Sequence, residues 1–519
     1  MSYHLTIPML AGECWWGGTI KDAERMPFDE HTQYHVDLLR ERRTQSAPLF
    51  LSSKGRYLWS EGAFAIEMDG GVMEIESDEP VQLEAPGSTL REAYLAAMKA
   101  HFPFESGIHT PREFYHHPQF NTWMELIKNQ NEQDILAYAQ EVVEHGYHPG
   151  IFIIDGGWQK CQGTWEFNRE LISDPEEMFS RLHALGFQVM IWVSPFMCSE
   201  GDNFLKLYSA RSSENVGGQP CYDHLVRYRN GEVAIQHWWS GFGAILNFNL
   251  PGDCEYMDGQ LQKLLDMGAD GFKFDGGTCL PQSFLNGTDF YGGYSTLELN
   301  QAWVRFGSRY RLHEYKDTWK MGGKPVVQRL FDKNHAWKGN GLDCLIPHGI
   351  FTGLIGCPFI CPDMIGGGEW TAFVYGKHDE ELFIRMAEAS ALFPMMQFSS
   401  LPWRHLSPKA VQVCKEMAEL HEQMYPEIEQ ALEETEHTGE PMIRSMEYAY
   451  PGCGYERIND QFLLGENILV APVVEKGARA RRVIFPQGAW QNEAGRRYEG
   501  PTEAVLEAPL EKLLWFRRA

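Results

Sequence analysis

Apolar and polar residues alternate in short runs near the start of the chain. Ala63-Phe-Ala-Ile-Glu-Met and Val72-Met-Glu-Ile-Glu have a period of two and are separated by Gly-rich turns, which predicts strands of a β-sandwich over residues 1–118. From Phe120 the grammar changes. Asn131 opens a helix whose apolar residues Ile135, Leu136, Ala139, Val142 and Val143 share one face, Gly146 ends it, and Ile151-Phe-Ile-Ile-Asp follows as a buried strand. The next unit begins at Asp174-Pro-Glu-Glu, with an N-cap, a proline in the first turn and Glu177 at the capping-box position. Its stripe is Met178, Phe179, Leu182 and Leu185, and Gln188-Val-Met-Ile-Trp-Val is the strand after it. A third round runs from Asp253 through Leu261, Leu264 and Leu265 to Gly268, then into Gly271-Phe-Lys-Phe-Asp.

Further strands are expected at Pro325-Val-Val-Gln-Arg, Phe359-Ile-Cys-Pro-Asp and Met395-Met-Gln-Phe, and one long helix from Ser407-Pro408 past Met424. Repeated strand–helix units fit a barrel or a doubly wound sheet. The first strand is not followed by a Gly-rich phosphate fingerprint, and Asp155, Asp275, Arg329 and Asp363 all stand at strand C-terminal ends, where barrel enzymes keep their chemistry. The expected architecture is therefore a (β/α)₈ TIM barrel over 119–438, with an insertion near 199–243. It is flanked by the N-terminal sandwich and by a C-terminal β-sandwich domain over 439–519, where Asn467-Ile-Leu-Val-Ala-Pro-Val-Val and Arg481-Arg-Val-Ile-Phe-Pro read as strands.

Composition narrows the partners. A net charge of −26 argues against nucleic acid or an anionic membrane surface. No apolar run is long enough to span a bilayer, and the opening MSYHLTIPMLAGECWWGG lacks the charged and apolar regions of a secretory signal, so a cytoplasmic protein is expected, as a monomer or homo-oligomer. The 11 cysteines form no regular framework and read as mostly reduced. HExxH, HxH and CxxC spacings are missing, so no metal and no cofactor are expected, and GxSxG is absent as well. The 16 Trp, 21 Tyr and 30 Phe are mostly core, but a few beside carboxylates would suit the C–H faces of sugars.

Asp275 is the sharpest candidate. It ends an apolar strand, and Lys273 lies on the same side two residues earlier, so an ammonium could hold it ionised for nucleophilic attack; alternatively the two form a buried pair that orders the barrel top. Asp155, followed by Gly156, Gly157 and Trp158, pairs a carboxylate with an indole, although an Asp there could equally cap the next loop. Trp192 could be core or sugar platform. Asp343 is a loop carboxylate that is unremarkable by itself, and His405 in Pro-Trp-Arg-His reads most simply as a core histidine.

Together these segments resemble glycoside hydrolase family 31. Glu13-Cys-Trp-Trp-Gly-Gly and Pro48-Leu-Phe-Leu-Ser-Ser-Lys-Gly-Arg-Tyr look like its N-terminal motifs, and Gly271-Phe-Lys-Phe-Asp-Gly-Gly like its nucleophile strand. Cys361-Pro-Asp-Met-Ile-Gly-Gly looks like its D-I-G-G element, and Gly439-Glu-Pro-Met-Ile-Arg-Ser with Gly465-Glu-Asn-Ile-Leu-Val-Ala-Pro-Val-Val like the start of its C-terminal β-domain. The resemblance implies Asp275 as nucleophile and Asp343 as general acid/base, although the family's Gly-Asp after a Trp is here Trp337 followed by Leu342-Asp343. It implies that Asp155, Arg329, Asp363 and His405, with Trp158, Trp192 and Lys273 around them, bind the sugar. The form of the motifs is nearest the family's myogenesis-regulating branch, which implies an exo-acting α-galactosidase working by retaining double displacement on a small glycoside. That mechanism needs carboxyls about 5–5.5 Å apart. An α-glucosidase, α-xylosidase or sulfoquinovosidase, a silent sugar-binding relative, and a metal-dependent barrel hydrolase are the competing readings.

Overall fold

The computed structural model describes residues 3–40, 44–104, 109–207, 224–277, 290–371 and 378–519. The chain divides into two compact units, Phe120–Trp319 and a second made of Met1–Gln119 with Lys320–Ala519.

The Phe120–Trp319 unit is built on parallel strands in the order Gln119–Asn121, Ile151–Ile154, Gln188–Val193, Gly271–Phe274 and Leu312–Tyr315. All of their residues are buried except Gln188, as expected for a parallel sheet covered on both faces. The helices between them are Glu132–Glu144, Pro175–Ala184, Pro251–Met267 and Thr296–Gly307. Three of the four starts are set by side chains: Asn131 accepts from the Asp134 amide and Asp174 from the Glu177 amide, while Ser295 and Glu298 make a reciprocal capping box. Gly268 ends the third helix at φ 120°, a conformation that a side chain would strain. The expected insertion begins as a small antiparallel sheet in which Gly241–Ile245 lies between Phe196–Cys198 and Gln236–Trp238; residues 208–223 of it lie outside the described residues.

The other unit opens with two antiparallel sheets, the first of which holds both strands predicted from alternation. One has the order Tyr3–Pro8, Val72–Ser77, Phe64–Asp69, Tyr34–Asp37. The other contains Trp15–Thr19, Gln45–Ser52, Tyr57–Ser60 and Val81–Glu84. The later strand predictions shrink to two residues each: Gln328–Arg329 runs parallel to Ile360–Cys361, and Met364–Ile365 parallel to Gln397–Phe398. The long helix predicted from Ser407 is in fact two, Pro408–Gln423 and Tyr425–Thr438. Pro426, in the first turn of the second, has no N–H to carry the hydrogen-bond ladder across the join. A six-stranded antiparallel sheet closes the chain, its core formed by Leu463, Leu469, Val483, Phe485, Trp490 and Phe516. Among the described residues no helix is long and apolar enough to cross a membrane.

Candidate active site

Register fixes the first group of candidate residues. Ile154 pairs with Ile191, Trp192 with Lys273, and Lys273 with Glu314, so Asp155, Trp192, Lys273 and Glu314 stand at one level across four parallel strands. Asp275 lies two residues beyond Lys273, and its amide donates to the Val193 carbonyl at 2.9 Å, extending the ladder.

The lysine's partner differs from the one its strand position suggested. Lys273 Nζ donates to Asp155 Oδ2 at 2.6 Å, and both side chains are almost wholly buried. The other Asp155 oxygen accepts from the Gly156 amide at 2.7 Å, while its own amide donates to Thr122 Oγ1. Asp275 is instead held by neutral donors. Trp192 Nε1 donates to Oδ2 at 3.0 Å and the Gly276 amide to Oδ1 at 2.8 Å. It remains half-buried, a carboxylate with a defined direction and an open side. Trp158 is fully buried and donates to the Trp192 carbonyl at 2.9 Å, so it positions the strand that carries Trp192.

An aromatic wall flanks Asp275. Phe196 stacks on Trp238 at 4.2 Å between ring centroids, and Trp238 abuts Trp239 at 4.9 Å. A Cβ on Gly276 would come within 3.2 Å of the Trp239 ring and 3.3 Å of Phe196, and the Gly276 φ is +83°, so glycine is required there twice over. Trp239 is 47% exposed despite that packing.

The second group lies in the other unit. Arg329, buried at the end of its two-residue strand, donates from Nη1 to Asp332 Oδ1 and to Asp363 Oδ1, both at 2.7 Å. Asp363 Oδ2 accepts from the Lys333 amide at 2.6 Å and the Gly368 amide at 3.1 Å. Burial pushes the Asp363 carboxyl up against the pull of Arg329, and the nearby Asp332 adds to the rise. Asp343 is the middle residue of the short turn Leu342–Cys344 that leads into the helix Leu345–Leu354. Its Oδ2 accepts from the Gly339 amide at 3.0 Å, and its Oδ1 from the Gly341 amide at 3.1 Å and the Cys344 thiol at 3.4 Å. It is half-buried and held against its own loop. His405 is not the core histidine that its context suggested: it is exposed at the end of the helix Pro402–His405 and stacks on His378 at 4.6 Å.

Two features of these groups were missed in the sequence. Glu314, fully buried beside Lys273, sits in Leu-His-Glu-Tyr, whose pattern has no clean period and which was not among the expected strands. Asp332, which none of the motifs above marked, is the partly exposed partner of Arg329.

A family model described as the glycosyl hydrolases family 31 TIM-barrel domain matches residues 115–318, and one described as the family 31 C-terminal domain matches residues 439–519. The chain belongs to glycoside hydrolase family 31. Its architecture is accordingly the (β/α)₈ barrel with β-rich flanking domains that the strand–helix alternation predicted. Myogenesis-regulating glycosidase of Mus musculus is 29% identical over 416 residues, covering 77% of this chain and 55% of that protein. Alpha-xylosidase XylQ of Lactiplantibacillus pentosus is 23% identical, covering 89% of this chain and 60% of its own length. The chain thus spans a little over half the length of these two relatives. Among solved structures, the Flavobacterium johnsoniae GH31 dextranase complexed with glucose superposes with a TM-score of 0.84 at 19% identity, over all of this chain and 66% of that one.

Proposed function

We propose that this chain hydrolyses terminal α-linked hexosides with retention of configuration, and that its preferred sugar is galactose. The observation that carries the reading is Asp275: a half-buried carboxylate at a strand's C-terminal end, aimed by the Trp192 indole and the Gly276 amide, with no cation bonded to it among the described residues. Two neutral donors orient a nucleophile without neutralising it. Lys273 serves the reaction indirectly, by fixing Asp155 as a buried acceptor for a sugar hydroxyl.

In the first step Asp275 attacks the anomeric carbon while a carboxylic acid protonates the departing oxygen; in the second, water attacks the glycosyl-enzyme and gives its proton to the same group. We assign that group to Asp343. Its half-buried position and its place in a loop before a helix agree with the family's order of motifs. Arg329, Asp363 and exposed His405 supply hydroxyl contacts in this reading, and Trp192 an apolar surface. The galactose preference rests on the likeness to the myogenesis-regulating relative, which is named only as a glycosidase.

The reading is tested with nitrophenyl α-galactoside, α-glucoside, α-xyloside and sulfoquinovoside, following release and product anomer by NMR. Release from the galactoside at the highest kcat/KM, with α-galactose formed first, is expected. Preference for another sugar would replace galactose, and binding across the panel without turnover would favour the silent sugar-binding relative.

A further inference from the structure

The helix Leu345–Leu354 carries, beside its entry, a group of donors that the sugar chemistry does not use. Cys344 precedes the helix and His348 lies one turn on, so the two share a face. The 3₁₀ helix Ile20–Arg25 brings Glu24 to the same place, and one ligand atom from each of the three lies within 4.8 Å of the others. All three belong to one compact unit.

His348 is 1% exposed, its Nδ1 has no hydrogen-bond partner among the described residues, and its Nε2 faces Glu24 Oε2 at 3.9 Å, beyond hydrogen-bond reach. A buried imidazole left unsatisfied in this way is costly, and such a group calls for an explanation. Burial holds it neutral, with a lone pair available. The thiolate, imidazole and carboxylate set is one that a borderline-soft divalent ion takes up. From these donors we infer a zinc-class metal site formed by Glu24, Cys344 and His348, with a fourth position open to water on the Glu24 side, which is 38% exposed. Tetrahedral zinc holds ligand atoms about 3.5 Å apart, so separations of up to 4.8 Å need to close by about 1.3 Å at most.

Binding exchanges the Cys344 thiol proton, released to solvent, for a sulfur–metal bond, and frees the contact that the thiol now donates to Asp343. The nearby cations are Lys333, whose ammonium bonds to the Phe331 carbonyl and is pushed down to about 8 by burial, and Arg25 beside Glu24; Asp343 adds negative charge at both Glu24 and Cys344. The ion would pin the N-terminal turn to the segment that carries Asp343.

The test uses the whole chain, stripped with chelator and titrated with Co²⁺ and then Zn²⁺. One equivalent of Co²⁺ should give a thiolate-to-cobalt charge-transfer band that Zn²⁺ abolishes, and Zn²⁺ should raise the thermal midpoint. Cys344→Ser should lose the band, and His348→Ala and Glu24→Gln should each weaken binding at least tenfold. Glu24 is exposed, so its variant tests the site even where the buried substitutions impair folding. No band in the wild type, a band kept in Cys344→Ser, or unchanged affinity in Glu24→Gln would overturn the assignment.

Discussion

Lys273 Nζ lies 2.6 Å from Asp155 Oδ2, two strands away, and neither charge reaches solvent. Removing one partner of such a pair strands the other as a buried unpaired charge, at a cost of about 3–5 kcal/mol. Lys273→Met should therefore lower the unfolding free energy by that amount. The Asp155→Asn/Lys273→Met double variant should lose less than the sum of the two single changes. Urea denaturation of the four proteins measures the coupling, and strict additivity would mean that the two charges do not sense each other.

The same pair shows what the sequence could reveal. Period-two alternation was enough to put Lys273 and Asp275 on one side of a strand. It could not choose the lysine's partner, because that depends on the register of Ile151–Ile154 and Gln188–Val193 against Gly271–Phe274, which brings together two residues 118 positions apart. Long helices and fully buried strands were legible because caps, glycines and apolar stripes are local. The two-residue strands at Arg329 and Cys361 were overextended, since their flanks are as apolar as the strand itself. Pro426, by contrast, was a local signal for the break between the last two helices before the C-terminal domain. The Cys344–His348 spacing carried no signal in the sequence, where no metal was expected, because Glu24 is more than three hundred residues away and only folding brings it near.

Trp239 keeps nearly half its surface open while lying against the backbone that follows Asp275. A ring so placed suits the apolar face of a leaving-group sugar. Trp239→Ala should lower kcat/KM on an α-linked disaccharide roughly three- to tenfold, and leave an α-glycosyl fluoride, which has no leaving sugar, unaffected. Equal losses on both substrates would make the residue structural.

Asp343 and Asp332 are separated by leaving-group dependence. Asp343→Ala should slow a substrate with a poor leaving group by about 10²–10⁴-fold, spare the glycosyl fluoride in its first step, and yield a glycosyl azide when azide is supplied. The same pattern in Asp332→Ala, with none in Asp343→Ala, would move the acid/base role to the partner of Arg329.

Glu388 lies buried with Arg385 at 2.7 Å, yet burial outweighs that attraction and pushes its carboxyl from an ordinary 4.5 to about 7. A carboxyl raised on folding contributes stability that is complete below the unfolded value and lost as pH rises through the folded one. Stability should thus fall between pH 4.5 and 7, by up to about 3 kcal/mol from this group. Glu388→Gln should flatten that part of the profile, as followed by denaturation midpoints across the range; an unchanged slope would assign it to other groups.

The central claim is that Asp275 becomes covalently bonded to the sugar. The direct measurement is inactivation with a 5-fluoro-α-glycosyl fluoride of the preferred sugar, followed by peptide mass spectrometry. One fluorosugar should be found on the peptide containing Asp275, at that residue, and Asp275→Ala should take up none while remaining folded. A label on another carboxylate, or steady turnover by Asp275→Ala, would contradict the account.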